Sequence, residues 1–282
     1  MSQFTVFPNM HWRNLILNFP QNDLHSLPPS SWRVTQKISE ESDTYTQEEA
    51  EKMRQFPLAD ARFECENVED SSNKAILEVY MEIPCVDTEC PAEGTYGTPN
   101  CVRIALGAHK LLTLHDCKYS PGLIQYMEET QTSEDRPFFM PGGKIYYMVT
   151  NKLPGVPLGN GLVSYTKDGR MFEEGLFWEL PRVKRDQIRA AFQDAYLEHT
   201  RSKATIAPKT LSRIFWERDS GKVYIQGIFE PLDLRDIAPT LSRKLDDYGP
   251  KVLDIWELAI APEGEVDYDV PMDSLEQLGW IL

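Results

Sequence analysis

The segment Lys144-Ile-Tyr-Tyr-Met-Val-Thr-Asn-Lys-Leu-Pro-Gly-Val-Pro-Leu158 is where the chain changes character. Its first part, Lys144–Thr150, is an apolar and aromatic run of strand length. The next stretch, Leu153–Gly161, is rich in Pro and Gly and reads as a connector. A strand that runs into such a connector divides the chain into two halves, and each half carries its own pattern.

Towards the N-terminus, Leu123–Thr130 reads as a further strand. A long acidic connection ending at Pro141-Gly142-Gly143 joins it to Lys144–Thr150. Before it, Ile104, Ala105, Ala108, Leu111 and Leu112 recur at three- and four-residue steps, which predicts a helix over Val102–His115. Cys85–Asn100 carries Pro91, Gly94, Gly97 and Pro99 and reads as a loop. Ala61–Val68 and Lys74–Ile83 are two β-rich runs, and the polar Glu69–Asn73 turn makes them a hairpin. Residues 1–60 read as an extended arm followed by a short helix. The expected division is therefore 1–60 for this arm and short helix, 61–152 for a sheet-bearing lobe, and 153–282 for a mainly helical lobe with an acidic tail.

Towards the C-terminus, Gly175–Leu180 opens the second half. Ile188, Ala191, Phe192, Ala195 and Tyr196 then mark a long helix over Arg182–Thr200. Arg213–Glu217 and Lys222–Phe229 read as short strands around an Asp219-Ser220-Gly221 turn. Gly249–Ile260 reads as another amphipathic helix.

Composition bounds the function. The 282 residues suffice for one large domain or two lobes, and 41% apolar with 26% charged residues is ordinary for a globular protein. A net charge of −15 argues against a nucleic-acid partner, whose affinity rests on clustered Lys and Arg, and against anionic membrane surfaces. Apolar runs such as Ile145–Thr150 are too short to span a bilayer. The opening MSQFTVFPNMHWRNLILNFPQND lacks the charged and apolar regions of a signal peptide, so the protein is expected in the cytoplasm. Cys65, Cys85, Cys90, Cys101 and Cys117 are odd in number and read as free thiols. Cys85 and Cys90 are not followed by a second ligand pair, so no metal site is expected.

The order of elements resembles the kinase-like fold, an α+β two-lobed architecture with an antiparallel sheet and one helix in the first lobe. The phrase Lys152-Leu-Pro-Gly-Val-Pro-Leu158 is similar to the hinge of fungal kinase-like and aminoglycoside-phosphotransferase-like proteins. Arg182–Thr200 resembles the helix after that hinge, and Ile214–Ile225 the hairpin that normally carries metal-binding residues.

Measured against that family, the residues of phosphoryl transfer are replaced. A strand lysine, a helix glutamate, a catalytic aspartate and metal ligands are needed to neutralise the transferring group and hold Mg²⁺. On the resemblance Glu78 stands where the lysine belongs. Pro208 stands for the aspartate, Arg213 for the asparagine five residues on, and Gly227 for the metal-binding aspartate.

Two readings of the cleft expected between the lobes remain open. In one, Glu78 pairs with Lys209 or Arg213 as a structural replacement for the lost contact. In the other, Glu78, Lys209, Arg213, Gln226 and Glu230 are convergent polar groups in an apolar pocket, with Tyr80, Tyr146, Tyr147, Trp216 and Tyr224 as lining or plain core. His109 and His115 read as surface or interlobe residues, and Glu128 and Glu129 as solvated.

Three functions stand as expectations. The first is a cofactor-independent cyclase or isomerase acting on a small apolar organic substrate, as in fungal natural-product biosynthesis. Glu78, Lys209 and Arg213 would then be its reactive groups, and Tyr80, Tyr146, Trp216, Tyr224, Gln226 and Glu230 its binding residues. The second is a pseudokinase working as a scaffold. The third is a divergent phosphotransferase with Glu230, Asp233 or Asp236 as metal ligands. Oligomeric state leaves no trace in the sequence.

Overall fold

Alternation along the strands builds the first half. The computed structural model describes residues 5–22, 27–87, 97–131, 140, 142–231 and 248–282. Two compact units emerge, Met1–Leu106 with Gly122–Lys152, and Gly107–Pro121 with Leu153–Leu282. The elements run in the order expected of a kinase-like α+β fold: strands, one helix, two strands, a connector, a long helix and a short strand pair.

In the first unit a short helix, α1 (Asn9–Trp12), precedes a six-stranded antiparallel sheet. Its strands are β1 (Ile16–Phe19), β2 (Ser30–Asp43), β3 (Leu58–Asn67), β4 (Lys74–Glu82), β5 (Leu123–Thr130) and β6 (Lys144–Asn151), in the spatial order β1-β2-β3-β4-β6-β5. Ala59, Ala61, Phe63 and Cys65 alternate along β3 onto one face, which they share with Leu77, Val79, Tyr147 and Val149. The N-terminal segment covers that face. Trp12 stacks on Phe63 at 5.2 Å between ring centroids, and Phe7 meets Trp12 edge-on at 5.2 Å.

The expected arm is thus structural: residues 1–60 supply two strands and one wall of the core. Beyond Val34, which still exchanges backbone hydrogen bonds with Asn14 and Leu15, the β2 ladder runs with β3 alone, and two bulges twist its outer half. Helix α2 (Gln47–Met53) comes next, closed by a capping box in which Thr46 and Glu49 satisfy each other's backbone N–H groups. Helix α3 (Asn100–Leu114) packs Ala105 and Leu106 with Leu123 and Met148 on the sheet's other face.

The second unit is organised by a long helix. The short strands β7 (Val156–Pro157), β8 (Val163–Tyr165) and β9 (Met171–Glu173) lead into α4 (Leu176–Glu179) and α5 (Arg182–Arg201). After α5 come β10 (Ala204–Ala207), β11 (Ile214–Trp216), β12 (Val223–Ile225), β13 (Ile228–Pro231) and α6 (Pro250–Ile255). Ile188, Phe192 and Ala195 of α5 pack into a core with Phe177, Ile214, Ile225 and Trp256.

Three local readings change. The β8–β9 hairpin lies between the connector and α4, where no strand pair was expected. Lys222–Phe229 splits into β12 and β13 at Gly227, where a Cβ would come within 2.5 Å of Ile206 Cδ1. The helix expected over Gly249–Ile260 stops at Ile255, because Glu257 turns left-handed at φ 56° and Leu258 N–H reaches back to Leu253 O at 2.8 Å. That is a helix-ending arrangement that drops Leu258 into the core. The connector's glycine has a physical reason too. Gly155 sits at φ 93°, and a Cβ there would lie 2.6 Å from the Trp216 backbone, where β7 pairs with β11.

Candidate active site

The face of the first unit's sheet opposite its tryptophan-lined core carries a cluster of ionisable and phenolic side chains. Strand β3 turns Asp60, Arg62 and Glu64 to this side by alternation with its buried residues, and β4 does the same with Ile76, Glu78 and Tyr80. Register sets the rows. Asp60 stands opposite Tyr80, and Tyr80 opposite Tyr146; in the next row Arg62 stands opposite Glu78, and Glu78 opposite Met148. Directly paired side chains in such rows lie close enough to interact.

Arg62 Nε approaches Glu78 Oε1 at 3.4 Å, and the Tyr80 hydroxyl donates to Glu78 Oε2 at 3.5 Å. Along the same face, Lys152 Nζ reaches Glu64 Oε1 at 2.5 Å. Glu78 therefore finds a cationic partner in its own sheet, Arg62, which sequence reasoning did not consider.

Electrostatics single out Asp60. Burial pushes its carboxyl up to about 6, and the neighbouring Glu41, Glu78 and Asp43 push the same way against Arg62. About a tenth of such a carboxyl is protonated at pH 7. Tyr80 is raised well above the usual phenol value by burial and then by Glu78 and Asp60, so it is a neutral hydroxyl donor. Tyr146 is raised by burial, then by Glu82 and Glu128.

The row thus sets a carboxyl poised near neutrality beside the protonated phenols of Tyr80 and Tyr146, with the apolar Met148 in the next row. Of the carboxylates Asp60, Glu64 and Glu78 on this face, Glu78 pairs with Arg62 and Glu64 with Lys152.

The remaining sequence candidates belong to the second unit. Lys209 is exposed, and its charge adds to the burial that lowers the buried His199 to about 4. Arg213 ends the 3₁₀ turn Leu211–Arg213, and its carbonyl accepts from the N–H of the buried Gln226 at 2.9 Å. Trp216 is core, with the Arg218 guanidinium 5.8 Å above its ring.

Tyr224 pairs with Phe215, whereas Trp216 pairs with Val223, so the two aromatics occupy opposite faces of their ladder. The Tyr224 hydroxyl donates to Glu217 Oε2 at 3.2 Å. Glu230 stands opposite Thr205 in the β10–β13 ladder, and Asp233 and Asp236 lie outside the described residues. Glu78, Tyr80 and Tyr146 are therefore gathered on one sheet face, while Trp216 and Tyr224 do not share a wall.

His109 is buried, its Nδ1 3.2 Å from Pro121 O. Glu128 lies on β5, as expected, and pairs with Lys144 at 3.2 Å. Among the described residues Cys65, Cys85, Cys101 and Cys117 are free thiols, and no cluster of three or more His, Cys, Asp or Glu has a metal-binding arrangement. Among the described residues no helix is long and apolar enough to cross a membrane.

The chain matches no family model and no curated protein. Among the solved structures similar to it are two kinases. One is the kinase PK-1 of the Cydia pomonella granulovirus, 9% identical with a TM-score of 0.38, covering 88% of this chain and 74% of that one. The other is vaccinia related kinase 3, 10% identical with a TM-score of 0.36, covering 81% of this chain and 54% of that one. The chain thus spans about half the length of the second. Likenesses this distant assign no residue and no activity here.

Asp60 and Arg62 are the site residues that sequence reasoning missed. The signal was present in the alternation Ala59-Asp60-Ala61-Arg62-Phe63-Glu64-Cys65, which puts every charged side chain opposite the core. Reading the strand from Ala61 left Asp60 outside it.

Proposed function

We propose that this chain acts on a small apolar carbonyl compound by proton transfer, as an isomerase or cyclase of kinase-like architecture, and transfers no phosphate. The observation that carries this reading is the row Asp60–Tyr80 with Glu78 and Arg62 beside it. Ionised Asp60 takes a proton from the carbon next to the carbonyl. The Tyr80 hydroxyl turns from Glu78 to the developing enolate oxygen, and protonated Asp60 returns the proton to another carbon. Arg62 and Glu78 balance each other's charge through the cycle, and Tyr146 and Met148 supply apolar surface. The chemistry needs no nucleotide or metal.

The test is thermal unfolding of the wild type and of Asp60→Asn, with millimolar Mg·ATP and with a panel of apolar ketones and enones. Ligand at a hundred times its Kd adds about 2.7 kcal/mol and shifts the midpoint visibly. A shift with an enone and turnover that vanishes in Asp60→Asn support the reading. A shift with Mg·ATP restores the phosphotransferase.

One observation favours a scaffold role as the second reading. Leu162, Val163, Tyr165 and Met171 are 54–66% exposed on and beside the β8–β9 hairpin, apolar surface of the kind that partners cover.

A further inference from the structure

The β8–β9 hairpin of the second unit has one edge engaged and one edge open. Phe172 meets Trp178 edge-on at 5.9 Å, and the Glu173 carboxylate accepts from Gly161 N–H at 2.6 Å and from Ser212 N–H at 3.0 Å. These contacts anchor the hairpin to its unit. The Glu173 N–H donates to Glu257 Oε2 at 2.6 Å, which engages β9 on the side away from β8. Among the described residues, β8 has β9 as its only strand partner.

Alternation decides which backbone groups of β8 face the open edge. Glu174 N–H donates to Leu162 O at 2.7 Å, and Thr166 N–H to Arg170 O at 2.8 Å, so residues 162 and 166 bond towards β9. Ser164, midway between them, does the same, and Val163 and Tyr165 turn their N–H and C=O groups outwards. Val163 and Tyr165 share one face with Met171, which stands opposite Tyr165, and the three are 54–66% exposed. The run Leu162-Val163-Ser164-Tyr165-Thr166 carries neither charge nor proline, and the β8–β9 register has no bulge. Free edges are ordinarily blunted by such devices. The outer half of β2 has them, with two bulges and Lys37, Glu40, Glu41 and Asp43 along it. The edge of β8 has none. A lone two-stranded hairpin is also marginal in water, and further strands with an apolar face stabilise it.

We infer that β8 pairs with β8 of a second copy of this chain, antiparallel about a twofold axis at Ser164. A twofold there sets Val163 opposite Tyr165 of the other copy, and these are the two residues whose backbone groups face outwards. Their N–H and C=O groups bond each other across the axis, and Val163, Tyr165 and Met171 of both copies form one apolar face over four strands. The strands are short and each copy carries a net charge of −15, so the contact is weak and salt strengthens it by screening the repulsion. The inference rests on the exposed surface that favours a scaffold role and names its occupant. It is independent of the chemistry proposed for Asp60.

Sedimentation velocity of the full chain from about 5 to about 500 µM, at about 0.3 M salt, tests this. The weight-average mass should climb from that of one chain towards that of two. Tyr165→Lys should stay monomeric over the same range while unfolding at the same urea concentration as the wild type. Ser164→Cys should link into a covalent dimer on oxidation. A pair that exchanges no backbone bonds sets its Cα atoms about 4.5 Å apart, within disulfide reach. Thr166→Cys lies off the axis and should cross-link no more than the wild type, whose exposed Cys101 sets the background. A wild type at monomer mass throughout would overturn the inference and leave the apolar face to a different partner. A dimer unaffected by Tyr165→Lys, or equal cross-linking at 164 and 166, would overturn it as well.

Discussion

Arg62 and Glu78 meet across the β3–β4 ladder, Nε to Oε1 at 3.4 Å, one row from Asp60 and Tyr80. The pair makes the half-buried Glu78 carboxylate tolerable by supplying its counter-charge from the adjacent strand. Its second effect is on Asp60, whose ionisation is opposed by Glu78 and favoured by Arg62.

Replacing Glu78 with Gln removes a negative charge beside Asp60, so the Asp60 midpoint should fall below about 6. The same change strips Arg62 of its carboxylate and should cost about 1–3 kcal/mol of stability. Carboxyl ¹³C titration and urea unfolding read the two effects separately.

Asp60 also ties stability to pH. Its folded value, about 6, lies above the usual 3.8, so the folded state binds the proton more tightly. The associated stability is complete below about 3.8 and is lost as pH rises through about 6. Asp60→Asn should therefore be more stable than the wild type at pH 7–8, by about 1–2 kcal/mol after allowance for solvent screening, and equal to it below about pH 4. Urea midpoints at pH 4, 6 and 8 decide it.

His199 has the opposite sign. Burial lowers it from 6.5 to about 4, so the folded state prefers the neutral ring. Stability from this group is present above 6.5 and is lost as pH falls through about 4. His199→Gln should flatten the fall in stability between pH 6.5 and 4, measured against its own value at pH 7.5.

Glycine positions separate strain from crowding. Gly221 at φ 73° has open space around its missing Cβ, and Gly221→Ala should cost about 1–2 kcal/mol. Gly155→Ala adds a collision at 2.6 Å with the Trp216 backbone and should cost clearly more. Equal midpoint shifts for the two variants would contradict the close approach of β7 to β11.

The parts of the fold written by periodicity were legible. The β3–β4 hairpin, α3, β5 and α5 each carry a repeat of two or of about 3.6 residues imposed by one buried face, and β6 reads as a continuous apolar run because it is buried on both faces. The outer half of β2 was not, because an edge segment with mostly exposed side chains on both faces leaves no alternation to read. The β8–β9 hairpin escaped because its apolar residues are exposed, and the end of α6 because Glu257 gives no sequence signal for a left-handed turn.

At the site, Glu78, Tyr80 and Tyr146 could be placed from strand spacing. The Arg62 partnership required the register of β3 against β4, which is a property of pairing and not of either strand.

The proposed chemistry rests most directly on one carboxyl group. A ¹³C pH titration of Asp60 in the full-length protein should show a midpoint about two units above the ordinary value near 4 and close to 6. An Asp60 that titrates near 4 would leave the sheet face without a group poised for proton transfer and would contradict the proposed chemistry.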